Sequence, residues 1–364
     1  MFKSLEETYK GKKVFLTGHT GFKGAWMLKI LSMLGAKVQG YALAPENEFD
    51  LYHLIDGDKL CTSTIGDLRD KELLKNTILS FQPDFIFHLA AQPLVRLSYE
   101  IPSETFEVNA IGTANLLDGV RLLNKPCNVV LITTDKVYHN NEWEYPYRET
   151  DRLGGYDPYS ASKACAELVI DSYRNSFFNL KKYDEHQKAI AVTRAGNVIG
   201  GGDWAKDRLM PDIARALVKN ETIEIRNPNS VRPWQHVLEP VMGYLLLGLK
   251  LKEDPIRFAQ AYNFGPYATD ALPVVDMVEL AIKAWGCGNY KIKNAADQPH
   301  EAALLKLDIS KAGVDLVWRP KMNASQAIQF TIDWYKQFDI NRDDIDGFTN
   351  SQINNFEILN TEIQ

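Results

Sequence analysis

The sequence predicts an α/β protein: a Rossmann-type doubly wound parallel sheet with a smaller C-terminal substrate domain. Three observations carry this. Apolar, β-branched runs alternate with helical stretches over roughly the first 200 residues, a glycine-rich turn follows the first run, and the alternation gives way to irregular polar sequence after Gly200. Strand–helix–strand alternation puts the strands parallel with helices on both faces, and strands buried on both faces read as continuous apolar runs.

In order, KKVFLTG reads as the first strand and AWMLKILSMLG as the helix behind it, and AKVQGYAL is the second strand. KELLKNTILSF is a helix leading into the strand PDFIFHLAA, and TANLLDGVRLL leads into NVVLITT. ASKACAELVIDSYRNSF is the next helix and AIAVTRAGNVIG the strand after it. Residues 1–195 are therefore expected to form a dinucleotide-binding domain, rejoined by about 233–262. Beyond it come the glycine-rich GGGDW, the polar RNPNSVRPWQH and mixed helices to about Phe338, so 196–232 and 263–340 are expected to form a domain closing over the sheet's carboxyl edge. Residues 341–364 are polar without sustained periodicity and read as a loosely held tail.

With 364 residues, 45% of them hydrophobic, the chain can bury the cores of two domains. A net charge of -6 and a pI near 5.7 exclude general attraction to nucleic acid or an anionic membrane, and leave a small molecule as the expected partner. Cys61, Cys127, Cys165 and Cys287 are scattered, and His19, His88 and His236 share no metal-like spacing, so neither a disulfide framework nor a metal site is indicated. The opening MFKSLEETYK lacks an apolar signal core, and no run approaches the roughly 20 apolar residues of a membrane span. A soluble, cytoplasmic protein is expected.

The turn TGHTGFKGAW sets Gly18, Gly21 and Gly24 at three-residue spacing between the first strand and the first helix. Glycines there let the backbone approach a pyrophosphate, whose charge rests on the helix N-terminus. Gly18, His19, Thr20, Gly21, Phe22, Lys23 and Gly24 are thus candidate cofactor residues, with Lys23 either neutralising phosphate or solvated. An acidic residue for an adenosine ribose is missing where the second strand ends in Tyr41, Ala42 and Leu43, and no arginine replaces it, so the residues leave NAD against NADP open. Asp67 and Leu68 are placed to touch an adenine, although Asp67 reads equally well as a helix cap. Ala90, at the end of PDFIFHLAA, completes the set.

In YDPYSASKACAEL, Tyr159 and Lys163 are four apart, which on a helix puts both on one face. A lysine near a tyrosine is expected to lower the phenol's pKa and make it a base for a hydroxyl proton.

These residues together resemble the extended short-chain dehydrogenase/reductase family, through about residue 338. TTDKVYHNNEWEYPYRETDRLGGYDPYSASK, RAGNVIGGGDWAKDRLMPD and RPWQHV narrow the resemblance to the nucleotide-sugar 4,6-dehydratases, and to their CDP-glucose branch. The resemblance implies tightly held NAD, CDP-glucose as substrate, and a homo-dimer or homo-tetramer. It also implies transient oxidation at C4 of the sugar, which makes the C5 hydrogen acidic, followed by loss of water across C5 and C6 and reduction at C6.

In the similar dTDP-glucose dehydratases the stretch matching Thr134, Asp135 and Lys136 reads TDE, with the aspartate as acid and the glutamate as base. Here Lys136 takes the glutamate's place, so Asp135 and Lys136 are expected to be proton donor and acceptor, with Thr134 bonding the C4 oxygen. A lysine roughly 5 Å away would stabilise the Asp135 carboxylate by about 3 kcal/mol, which opposes its use as an acid unless the amine is neutral. A regular strand would also turn the two side chains to opposite faces, so the chain must bend at Asp135. By the same resemblance Asn109, Asn197, Arg208 and Arg232 are expected on the substrate side, Asn109 supporting the helix and proton network and the two arginines holding a pyrophosphate. A 4-epimerase, a dehydratase acting on UDP-N-acetylglucosamine and a non-catalytic dinucleotide sensor are the competing expectations.

Overall fold

The computed structural model describes residues 1–206, 208–293 and 304–359. Its centre is one parallel sheet of β1 (Lys13–Thr17), β2 (Lys37–Ala42), β3 (Thr62–Ile65), β4 (Phe85–His88), β5 (Cys127–Ile132), β6 (Lys188–Ala195) and a seventh strand, Ala261–Phe264. The order runs from the seventh strand through β6, β5, β4, β1 and β2 to β3, and every neighbouring pair is parallel. The winding therefore reverses between β1 and β4, the place where an open α/β sheet leaves a crevice at its carboxyl edge.

The pleat sorts side chains to two cores. Val14, Leu16, Val130 and Ile132 face one with Trp26, Tyr244 and Trp334, while Phe15, Val129 and Leu131 face the other with Leu74, Leu116 and Ile170. The helix Phe22–Met33 is buried from Gly24 through Leu31, and Leu238–Glu253 is buried over most of its length. Both are apolar around nearly their whole circumference because each is covered on more than one side.

After β6 the chain forms short ribbons: Val198–Ile199 with Gln235–His236, Val231–Arg232 with Leu272–Pro273, and Ile223–Ile225 with Tyr290–Ile292. They lie with the helices Leu209–Val218 and Val274–Trp285, and a Cβ added at Gly200 would reach Phe22 at 3.1 Å, so this region meets the glycine turn.

The expectation of a loosely held tail from Asn341 is corrected. Ile345–Ile358 is a helix that buries Ile345, Thr349, Gln352, Ile353 and Phe356. Those positions make a helical stripe, but threonine and glutamine occupy two of them and hide it from hydrophobic periodicity. The polar members are bonded: Trp334 Nε1 donates to Thr349 at 3.0 Å and Gln352 Nε2 to the Phe330 carbonyl at 2.6 Å. Residues 360–364 lie outside the described residues. Among the described residues, no helix is long and apolar enough to cross a membrane.

Glu239, 1% exposed, accepts from the backbone N–H groups of Lys321 and Met322, both at 2.7 Å. Burial pushes its carboxyl up to about 8 against those two bonds and Lys321. Folding then takes up a proton between the ordinary carboxyl range and about 8, so the neutral form's stabilisation is complete below that range and is lost as pH rises through about 8. Glu239→Gln keeps the acceptor and removes the ionisation. Urea midpoints are expected to fall more steeply for the wild type than for the variant as pH rises over that range.

Candidate active site

The glycine turn is held open by close backbone approach. Gly18 has φ +75°, and a Cβ there would sit 2.8 Å from the Ala90 nitrogen at the end of β4. At Gly24 a Cβ would sit 1.9 Å from the Gly18 oxygen, so the helix rests directly on the turn. Gly21 begins that helix with extended backbone and no capping side chain. The first-turn amides thus face the crevice without a side-chain partner, which suits an anion.

Two other members of the turn are spent inside the protein. Thr20 donates to the Leu43 carbonyl at 2.9 Å. His19 is fully buried, bonded to Ser63 at 2.8 Å and set edge-on to Tyr52 at 5.3 Å, and burial lowers its pKa to about 4. The His19 imidazole props the turn against β2 and β3, and a Cβ at Gly40 would strike it at 2.5 Å. Asp67 neither caps a helix nor presents a free carboxylate. It is forked by Arg69, with contacts at 2.7–3.1 Å, while Asp70 caps the following helix. Leu68 is packed, with its carbonyl bonded by Asn115 at 2.9 Å.

At the end of β5 the required bend is present. Thr134 is extended, and Asp135–Val137 turns as a single 3₁₀ unit. The Thr134 hydroxyl donates to Asp135 Oδ1 at 2.9 Å. Asp135 is 4% exposed and Lys136 only partly covered. Burial raises the Asp135 carboxyl above its ordinary range, although Lys136, Thr134 and Arg232 all pull the other way. Desolvation wins over the neighbouring ammonium, which leaves Asp135 suited to donate a proton. Its Oδ2 lies against Gly196, where a Cβ would come within 2.9 Å.

The helix Pro158–Ser176 starts at a strong cap: Asp157 accepts from the Ser160 N–H at 2.9 Å and the Ser160 hydroxyl at 2.6 Å, with Pro158 in the first turn. Tyr159 and Lys163 follow on one face. Lys163 is 5% exposed and donates to the Ile132 carbonyl at 3.1 Å. Burial lowers it to about 8 despite the opposing charge of Glu167. The Tyr159 phenol is pushed up to about 12 by burial, with the Thr134 hydroxyl and Arg208 drawing it down. The expected lowering by Lys163 is therefore corrected for the protein's own groups: the ammonium is engaged with β5, and the hydroxyl and the guanidinium act in its stead.

Lys23 is lowered to about 8, by burial first and then by Arg208 and Lys163, with Asp135 and Asp203 opposing. Three cations thus share one space beside the glycine turn, an arrangement that suits a polyphosphate. Arg208 is aimed by Asp203 at 2.9 Å, and Arg232 is near enough to Asp135 to influence its protonation. Asn197 stands half-buried just after Gly196, its carbonyl accepting from Gln235 at 3.1 Å.

Asn109 sits where a residue supporting the Tyr159 helix is expected. It is 1% exposed; its oxygen accepts from the Gln92 N–H at 2.8 Å, and its amide donates to the Gln92 carbonyl at 3.1 Å and the Ser162 hydroxyl at 2.8 Å. It clasps the loop after β4 to the Tyr159 helix from a single π-helical turn, Glu107–Ile111.

A family model described as GDP-mannose 4,6 dehydratase matches residues 15–331. The chain belongs to this dehydratase family. A CDP-glucose 4,6-dehydratase of Salmonella typhimurium is 48% identical over 328 residues, 90% of this chain and 91% of the relative. A dTDP-glucose 4,6-dehydratase of Streptomyces antibioticus is 28% identical over 78% of each chain. The fold is that of solved relatives. A dTDP-glucose 4,6-dehydratase of Streptomyces venezuelae superposes with a TM-score of 0.76 at 23% identity, covering 89% of this chain and 97% of the other. A UDP-glucose 4-epimerase of Thermus thermophilus gives 0.76 at 24% identity, with 89% and 99% covered.

In this dehydratase-family chain, sequence reasoning missed Asp157, Ser98, Asp203 and Gln92. Ser98 accepts from the Tyr159 N–H at 3.1 Å. The Asp-Pro step before Tyr159 was a legible cap signal; Asp203 lies five residues from Arg208 with no motif to mark it, whereas Ser98 and Gln92 act across 61 and 17 residues. Asp157→Ala should destabilise the protein by about 1 kcal/mol, read from denaturant unfolding. Asp157→Asn, which keeps the acceptor, should recover most of it.

Proposed function

We propose that this chain is a CDP-glucose 4,6-dehydratase that uses NAD to convert CDP-D-glucose to CDP-4-keto-6-deoxy-D-glucose and water, a step toward deoxysugars. The observation that carries the reading is the buried Asp135, held above its ordinary range beside Lys136 and within influence of Tyr159. A 4-epimerase has no need of such a pair. The cytidine sugar is supported by the 48% identical relative.

The cradle formed by Gly18, Gly21 and Gly24, with Lys23 beside it, fits a dinucleotide pyrophosphate, and Ala90 lines its β4 side. When bound, NAD supplies the reversible oxidation that makes C4 a ketone and afterwards reduces C6. Tyr159 removes the 4-hydroxyl proton, Lys163 sustains the resulting charge and Thr134 orients the C4 oxygen. Next to a ketone the C5 hydrogen is acidic; Lys136, acting as its free amine, takes that proton while Asp135 gives one to the departing 6-hydroxyl, which leaves as water. A proton returned to C5 completes a sequence with no net redox change. Arg208 and Arg232 hold the sugar pyrophosphate, with Asn197 hydrogen-bonding beside them. In this reading 1–195 with about 233–262 carry the cofactor, and 196–232 with 263–340 carry the nucleotide sugar. The four free thiols support a reducing, cytoplasmic setting.

Association as a homo-dimer or homo-tetramer is supported by Ile111 and Leu168, 54% and 62% exposed on adjacent helices. Sedimentation should show Leu168→Asp lowering the assembly's mass.

Purified protein incubated separately with CDP-, dTDP- and UDP-glucose should give a product lighter by one water with the cytidine sugar alone, without accumulating reduced nicotinamide. Turnover of another sugar would move the substrate assignment, and a C4 epimer would sink the dehydratase reading. In D₂O, Lys136→Met should still oxidise C4 in a single turnover but take little deuterium at C5, with water loss slowed ~10²–10⁴-fold. Asp135→Asn should exchange C5 and fail at expulsion. Normal C5 exchange in Lys136→Met would remove the lysine as base.

A further inference from the structure

Outside the reacting groups, among the described residues, lies one ion pair covered on both sides. Glu167 and Arg194 have side chains 3% and 5% exposed, and Arg194 forks onto the carboxylate, its Nε at 2.8 Å from Oε1 and its Nη2 on Oε2. Burying two charges returns little net stability once desolvation is counted, so the pair's contribution is to be sought in what it orders.

Glu167 stands one helical turn beyond Lys163. Lys163 holds the Ile132 carbonyl at 3.1 Å, and Glu167 Oε1 accepts from the hydroxyl of the next residue, Thr133, at 2.7 Å. Two successive residues at the end of β5 are thus gripped by two side chains of one helix face. Arg194 reaches the other end of the same turn: its Nη1 donates to the Tyr138 hydroxyl at 2.8 Å and to the Glu149 carbonyl at 3.0 Å, and its guanidinium lies 4.9 Å over the Tyr138 ring. Tyr138 passes the bond on to Asn263 at 2.8 Å. The segment bearing Thr134, Asp135 and Lys136 is therefore tied at both ends to one buried pair.

The groups whose charges act on or respond to Lys163 are Glu167 on its own helix, Lys23 on the glycine-turn helix and His88 on β4. Glu167 is the anion among them.

We propose that Glu167 and Arg194 are positioning residues: the pair locks the turn Thr133–Tyr138 to the helix carrying Tyr159 and Lys163, and Glu167 supplies the countercharge for Lys163. The kinetic part rests on the dehydratase reading; the electrostatic part does not. Neutralising Glu167 removes support for the ammonium, whereas neutralising Arg194 leaves the carboxylate's field on Lys163 unopposed. The two changes therefore act in opposite directions.

The test compares Glu167→Gln, Arg194→Gln and the double variant. The readouts are titration of the Lys163 side chain by NMR of ¹³C-lysine-labelled protein without substrate, circular dichroism, and single-turnover kinetics. Glu167→Gln should move the Lys163 titration to lower pH and Arg194→Gln to higher pH, each by about half a unit or more. The double variant buries no lone charge and should titrate near wild type, yet lose water from the sugar ~10-fold or more slowly because its turn is untied. Shifts of one sign, or none, in folded single variants would overturn the countercharge role. Wild-type elimination in the folded double variant would overturn the positioning role. If wild-type protein turned over no nucleotide sugar, the dehydratase reading would fail while the opposite titration shifts stood.

Discussion

The burial of Asp135 and Lys163 at the carboxyl edge of the sheet is the constraint on which the rest depends. Where β1, β4, β5 and β6 end together, burial brings Lys23 and Lys163 down to about 8, lifts the Tyr159 phenol to about 12 and raises the Asp135 carboxyl. Each ionised form is costly there. The ammonium of Lys136 next to Asp135 looked from distance and charge alone like a reason for a permanently ionised aspartate. Desolvation outweighs it, since Asp135 is enclosed by Gly196 and the β5 turn while Lys136 is only partly covered.

Keeping polar groups in such a place requires partners, and the partners double as architecture. Asn109 closes a three-bond clasp between the β4 loop and the Tyr159 helix; Asp157 starts that helix; Glu167 and Arg194 hold the β5 turn from below. Asn109 and Arg194 from elsewhere in the chain, with Asp157 and Glu167 of the helix itself, thus fix the placement of one helix. A packed interior transmits small displacements, so these bonds bear on the site although most touch no reacting group.

The second region is joined to the first by the same economy of space. Gly200 and Gly201 admit Phe22 and Trp334, at hypothetical Cβ distances of 3.1 and 2.0 Å, and the Tyr335 hydroxyl donates to the Asp203 carbonyl at 2.6 Å. Asp203 in turn aims Arg208. A helix far along the chain, Ala324–Ile340, thereby orients a cation beside the glycine turn.

The sequence by itself determined the sheet class, the glycine turn, and the Tyr159–Lys163 and Asp135–Lys136 pairs, because these depend on local periodicity, on spacing along one helix and on backbone that only glycine accepts. It also required the bend at Asp135, since adjacent residues in a strand face opposite ways. The tertiary structure alone decided the protonation tendencies, which follow from burial and from neighbours such as Arg208 and Arg232. It also set the internal partners of His19, Asn109 and Asp67, which bond to Ser63, Ser162 and Arg69. The helix at Ile345–Ile358 also emerged only in three dimensions, where Trp334 and Phe330 offer partners that make buried Thr349 and Gln352 tolerable.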